Sequence, residues 1–127
     1  MRNKWLFIVA ISGFFCVAFG AFSAHGLAKT LEPKSLAWIE TGLKYQIFHT
    51  VALMGLSILQ LCNKRFSANK WLNCTALSWV IGILLFSGSL YLFALGVSLS
   101  LVWITPIGGT SFLIGWALLS YSCLKKI

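Results

Sequence analysis

The chain has 127 residues, of which 59% are hydrophobic and 9% charged, with a formal net charge of +8. Soluble domains carry about 25% charged residues, and small ones leave much of their surface in water, so this composition excludes a soluble globular domain. It also excludes a disordered chain, and a nucleic-acid module is excluded because no basic face or stacking platform accompanies the charge. One integral membrane domain over 1–127 remains.

Charge gaps define the elements. Residues 5–28, 45–63 and 71–124 hold no charged side chain. A helix needs about 20 apolar residues to cross a bilayer, so the first two gaps each fit one crossing. The third would be about 80 Å long as one helix, at ~1.5 Å per residue, and must fold back. Gly96-Val97-Ser98-Leu99-Ser100 is its best turn signal. Four spans are predicted, near 5–24, 45–62, 72–95 and 102–123. Lipid offers no water to backbone polar groups, which leaves helices or a closed barrel. Barrel strands would show as short alternating segments, and these runs are continuous. Arg2, Lys4 and Ala21-Phe22-Ser23 weakly resemble a signal peptide, but the apolar run exceeds the usual ~7–15 residues. The first span is therefore expected to be retained.

Between spans one and two lies the only stretch with acids, Glu32 and Glu40. Pro33 suits a first helical turn, Glu40 and Lys44 are spaced i,i+4, and Leu36, Ile39 and Leu43 share a face. A short amphipathic outer helix is predicted there. Continued into span two, it would run about 45 Å from 33 to 62, too long to lie wholly within the bilayer. The fold class expected is all-α, a four-transmembrane-helix bundle with that outer helix.

Orientation follows from the basic residues. With the N-terminus inside, Arg2, Lys4, Lys64, Arg65, Lys70, Lys125 and Lys126 lie on the cytoplasmic side, against Lys29, Lys34 and Lys44 outside. Both termini are expected in the cytoplasm, and membrane lipid with anionic headgroups is the expected partner. No disulfide is expected from Cys16, Cys62, Cys74 and Cys123, since the cytosol keeps thiols reduced and no C-x-x-C pairing occurs. Asn73-Cys74-Thr75 matches a glycosylation sequon, but at the inner mouth of a span it is discounted.

Each span carries a stripe of small or polar residues. These are Gly13, Cys16, Gly20 and Ala24; Gln46, His49, Leu53, Ser57 and Gln60; Cys74, Ser78, Gly82 and Ser89; and Gly108, Ser111, Gly115 and Ser122. Small residues let helix backbones approach in lipid, and polar groups bond across helices. The stripes are expected to face inward, with Phe, Leu, Ile and Trp toward lipid. Trp5, Trp38, Trp71 and Trp103 sit near span ends, as interface anchors do.

The polar residues gather toward one side. His25 ends span one, while Glu40, Tyr45, Gln46 and His49 lie on the outer helix and the outer part of span two. Thr105-Pro106-Ile107-Gly108-Gly109 opens span four, where Thr105 is suited to cap a helix starting at Pro106. His25, Glu40, Tyr45, Gln46, His49, Thr105, Gly108 and Gly109 form a candidate polar pocket in the outer leaflet.

Three of these stretches also carry a resemblance. Gly20-Ala21-Phe22-Ser23-Ala24-His25-Gly26-Leu27, Tyr45-Gln46-Ile47-Phe48-His49 and Thr105-Pro106-Ile107-Gly108-Gly109 resemble the ordered motifs of domain of unknown function 423. Ser23 stands where Gly is expected in the first motif, a small-for-small change. The resemblance covers nearly the whole chain and implies a multi-pass protein, in bacteria of the inner membrane. It transfers no activity.

For His25 and His49 the simplest state is neutral and hydrogen-bonded inside the bundle. An ionisable group in a membrane also raises a small-ligand, lipid-headgroup or proton-linked site. Two histidines on adjacent helices could ligate haem from both sides, whereas zinc would need Glu40 as a third ligand. No Ser/His/Asp order, H-E-x-x-H or phosphate loop is present, so no enzyme, catalytic residue, metal or cofactor is expected. Spans one, three and four contain no Asp or Glu, which argues against proton-coupled export through a buried carboxylate. Two functions remain open. One is a non-enzymatic membrane component or interaction partner that self-associates. The other is a binder or transporter of a small ligand or lipid in the outer-leaflet pocket.

Overall fold

The structure, a computed structural model, describes residues 2–98, 100 and 102–125. Lys126 of the charge balance and Leu99 of the turn signal lie outside the described residues. In chain order the helices are α1 (Lys4–His25), α2 (Pro33–Cys62), α3 (Lys64–Ser67), α4 (Lys70–Gly82), α5 (Gly88–Ala94) and α6 (Ile104–Leu124). A 3-10 turn, Leu27–Lys29, follows α1. A π turn, Ile83–Ser87, joins α4 to α5, so that Lys70–Ala94 is one rod. Four rods are long and apolar enough to cross a membrane, and no strand occurs among the described residues. The fold is the all-α, four-span architecture expected, with the amphipathic segment fused to span two as one 30-residue helix.

Local chemistry explains the ends. Three asparagines cap helix starts: Asn3 Oδ1 accepts from Leu6 N–H at 3.0 Å, Asn63 Oδ1 from Arg65 N–H at 2.9 Å and Asn69 Oδ1 from Leu72 N–H at 3.0 Å. Each satisfies an N–H that has no partner within its helix. Pro33 opens α2. Gly96, at φ 98°, closes α5: its N–H donates to Phe93 O at 3.1 Å, and Val97 N–H donates to Leu92 O at 2.9 Å. Only glycine takes that left-handed geometry without strain, so the turn signal is a helix-ending glycine.

One expected cap does not form. α6 begins at Ile104 rather than Pro106, and no side chain caps it. Thr105 lies inside the first turn, where its hydroxyl pairs with that of Ser89 on α5. A bond between helices replaces the cap, because the neighbouring rod brings a hydroxyl within reach.

The rods run antiparallel. One end of the bundle, the terminal end, gathers Lys4, Cys62, Lys70 and Leu124; the other, the loop end, gathers His25, Pro33, Ala94 and Ile104. α1 packs on α2, α4 and the π turn pack on α6, and α2 packs on α5. Toward the terminal end the core is Trp5, Val9, Leu53, Leu56, Leu72, Ala76, Trp79 and Phe112. At the loop end Ile39, Tyr91 and Ala94 pack with Phe19, Leu27 and Leu31, so the first turns of α2 are held against the bundle.

The stripes on α2 and α6 face inward, with Leu53 and Ser57 at 0% exposure and Gly108, Gly115 and Ser122 buried. Two stripes depart from expectation. In span one Ala24 is exposed and a side chain at Gly13 would meet nothing. In span three Cys74 is exposed and Thr75 is buried in its place. Tryptophan also departs. Trp5 and Trp79 are core residues, and Trp5 Nε1 donates to Asn73 Oδ1 at 2.8 Å. A glycine is the cause at Trp79, where Gly115 makes the slot as Gly82 does for Phe112, while Trp5 is held by its bond to Asn73.

Gly108 marks the closest approach of two rods, since a Cβ there would collide with the backbone of Leu85 and Phe86. At the adjacent Gly109 the nearest atom is Phe86 Cδ2 at 3.7 Å, an ordinary contact. Gly108→Ala is therefore expected to destabilise the bundle by about 1–3 kcal/mol, the usual cost of overpacking, and Gly109→Ala to change it little. Thermal unfolding of both variants in detergent checks this.

Candidate functional site

The candidate residues fall into separate layers. His25 and Glu40 are exposed near the loop end and make no side-chain hydrogen bond among the described residues. Tyr45 is 42% exposed, with its ring 4.7 Å from that of Phe86. Thr105 bonds Ser89, and Gly108 lies against the π turn. Gln46 and His49 are buried but point to different neighbours, so no single pocket holds the eight residues.

Gln46 faces α1 and α5. Its Nε2 donates to Ser12 Oγ at 3.0 Å, and its Oε1 accepts from the Tyr91 hydroxyl at 2.7 Å. The Ser12 and Thr50 hydroxyls share a further bond at 2.7 Å. Beside this group Ser87 Oγ donates to Gly42 O at 2.7 Å. Four side chains thus tie α1, α2 and α5 together inside the apolar layer.

His49 faces α6. Nδ1 is 2.8 Å from Tyr45 O, and Nε2 is 3.0 Å from Trp116 Nε1. A carbonyl only accepts and an indole N–H only donates. Those partners fix the ring as the neutral tautomer with its proton on Nδ1. Phe112 stacks on it, with centroids 3.7 Å apart and planes at 8°. Trp116 lies about midway along α6, so this buried histidine sits at mid-height of that rod. Its Nε2 is available to a metal only if the Trp116 bond is given up. Among the described residues no three of His, Cys, Asp or Glu come together.

A third layer lies at the terminal end. Gln60 Nε2 donates to Asn73 Oδ1 at 3.3 Å, Asn3 Nδ2 to Gln60 Oε1 at 3.4 Å, and Asn73 Nδ2 to Ser67 O at 2.9 Å. The sequon asparagine is thereby used in joining α1, α2 and α4. Ser12, Tyr91 and Trp116 are partners that the sequence did not single out, and Asn73 stood out only as part of the sequon. One signal existed for Tyr91. Gly82, Ser87 and Tyr91 are spaced five and then four residues, and the five-residue step coincides with the π turn.

Trp79 Nε1 alone among the described buried side-chain polar atoms lacks a hydrogen-bond partner. Such an orphan costs about 1–3 kcal/mol. Opposing that cost, the ring fills the Gly115 slot and packs against Trp116, with centroids 4.7 Å apart.

Four antiparallel spans with hydrogen-bonded polar layers inside define a multi-pass membrane protein. The chain belongs to the family described as Protein of unknown function (DUF423), which matches residues 19–109 and so includes all three motifs. It is 56% identical over 126 residues to a UPF0382 membrane protein of Haemophilus influenzae, covering 99% of this chain and 98% of that one. It is 44% identical over 126 residues to the UPF0382 inner membrane protein YgdD of Escherichia coli (strain K12), covering 98% and 93%. A UPF0382 membrane protein of Staphylococcus saprophyticus is 34% identical over 123 residues, covering 95% and 97%. No solved structure matches the chain.

The His49–Trp116 bond is expected to contribute about 0.6–2 kcal/mol, the range for polar bonds between membrane helices. A double-mutant cycle with His49→Leu and Trp116→Phe, read by denaturant titration in mixed micelles, measures the coupling. His49→Leu alone should cost the most, because it leaves the indole N–H unpaired. Nitrogen NMR of the folded protein should show the proton on Nδ1 of His49.

Proposed function

We propose that this protein is a non-enzymatic component of the bacterial inner membrane, with both termini in the cytoplasm, that acts through contacts made within the lipid layer. One observation carries this reading. Apart from Trp79 Nε1, the buried polar side chains of the described residues are hydrogen-bonded within the bundle, while α1 is attached along one side only. Phe7, Phe14 and Val17 on α1 are 67%, 78% and 76% exposed, and Gly13 beside them meets open space. A small residue on an otherwise bulky lipid face permits close approach of a second helix. The partner this reading favours is another copy of the chain.

Orientation is supported by the terminal end, where Arg2, Lys4, Lys64, Arg65, Lys70 and Lys125 gather, against Lys29, Lys34 and Lys44 toward the loop end. Reporter fusions at the C-terminus should be active in the cytoplasm; activity outside would reverse the placement. Energy transfer between differently labelled copies in vesicles tests self-association. The expected result is a signal that Gly13→Leu lowers severalfold, and a wild-type signal no higher than that of an unrelated monomer would refute it.

A second reading rests on a different observation. Between α1 and the π turn lies a crevice of about 400 Å³ open to the side, with Ser12, Gln46 and Tyr91 in its otherwise apolar lining. That volume is in the range of small-ligand sites. In this reading the crevice takes a lipid-soluble small molecule bearing a hydrogen-bonding group. Gly88 lines the crevice and a Cβ there would have no neighbour within 4 Å, so Gly88→Phe has room to start into the crevice and is expected to fill it. Mass spectrometry of the purified protein should then find a co-purified molecule in the wild type that the variant lacks.

A further inference from the structure

The terminal end of α4 and α6 carries a feature independent of the crevice. Lys70 Nζ is 5.1 Å and Lys125 Nζ 5.5 Å from the centroid of the same Trp71 ring. Lys125 Nζ is also 4.9 Å from the Tyr121 ring, and Tyr121 meets Trp71 edge to face at 5.1 Å. Two ammonium groups from different rods therefore share one aromatic platform. The ring quadrupole attracts each cation by about 0.5–1 kcal/mol at an exposed site, but it neutralises neither.

No acidic side chain does so. The only two in the chain lie toward the loop end, Glu32 just before α2 as its N-cap and Glu40 about two turns into it. Along the terminal end Lys4, Lys64 and Arg65 add positive charge of the same sign. Two like charges over one ring repel, and an anion that contacts both relieves that repulsion. The ring places that anion at a definite depth, since Trp and Tyr settle at the boundary between headgroups and acyl chains. Beside the platform Leu124 is 88% exposed, which suits acyl chains and not an aqueous ion.

From this charge complementarity we infer that Lys70, Lys125, Trp71 and Tyr121 form a binding site for the phosphate of an anionic membrane lipid. The lysines receive the phosphate oxygens, and the two rings hold the lysines and flank the glycerol region. Attraction of the whole basic end for an anionic surface would act on every cation alike. A built site makes two of them count more than the rest.

The test uses the full chain in phosphatidylcholine vesicles with and without phosphatidylglycerol, with retained lipid counted by native mass spectrometry. The wild type is expected to retain phosphatidylglycerol over phosphatidylcholine. Any lysine near an anionic surface contributes about fivefold in affinity, and a charge-assisted bond to phosphate adds to that, so Lys70→Ala with Lys125→Ala is expected to lower retention by more than about 25-fold. Lys64→Ala with Arg65→Ala removes the same charge from the same end and is expected to lower it far less. Trp71→Leu keeps every charge and is expected to lose most of the preference while helicity stays constant. Equal losses in the two double variants would overturn the site in favour of diffuse attraction. Displacement of the lipid by glycerol phosphate at equal phosphate concentration would overturn its assignment to lipid.

Discussion

Hydrocarbon offers no hydrogen-bond partner, and that constraint organises this bundle around α2. The helix carries Gln46, His49, Thr50, Ser57 and Gln60 as buried polar residues. Each would be costly if left unpaired, so each recruits a partner. Gln46 draws in Ser12 of α1 and Tyr91 of α5, His49 draws in Trp116 of α6, and Gln60 draws in Asn73 of α4. Ser57 turns back on its own helix and donates to Leu53 O at 2.7 Å. Polar residues on one helix thus fix which neighbours surround it, a specificity that lipid-like packing alone would not supply.

Close packing then depends on glycine. With no hydrophobic drive between helices in lipid, dispersion contacts decide how tightly rods associate. Gly42, Gly82, Gly108 and Gly115 each admit an aromatic ring or a backbone where a side chain would collide. The π turn is part of this fit. It brings the backbone of Leu85 and Phe86 onto Gly108, and Ser89 Oγ donates to the Phe86 carbonyl at 2.9 Å. Such turns often mark functional positions, and this one borders the lateral crevice through Ile83 and Leu84.

The helices are not held equally. The rod Lys70–Ala94 is the most buried span and α1 the least. α1 is tied to α2 by Ser12 and to the terminal-end layer by Trp5 and Asn3, while its other faces meet lipid. Any change of shape in this bundle is least costly at α1, where the fewest packed contacts would be lost. That places the crevice wall and the half-buried Gly13 on the same element.

From the order of residues alone the membrane address, the number of spans and the inward face of α2 followed, because charge gaps and helical spacing are properties of the chain itself. The turn at Gly96 was legible for the same reason, whereas the fusion of the amphipathic segment to span two is seen only in the fold. Partnership was not legible either. Thr105 carries the residue type of a cap, yet a hydroxyl on a neighbouring rod claims it; Trp5 carries the type of an interface anchor, yet Asn73 on another rod holds its indole inside, and a glycine on α6 gives Trp79 its slot. His49 and Gln46 stand three residues apart on one face of α2, yet they bond to different rods. Which side chain meets which depends on how the rods are rotated and staggered, and the π turn shifts that phase halfway along its own rod. Tertiary packing alone sets those rotations, since they come from the fit of many surfaces at once.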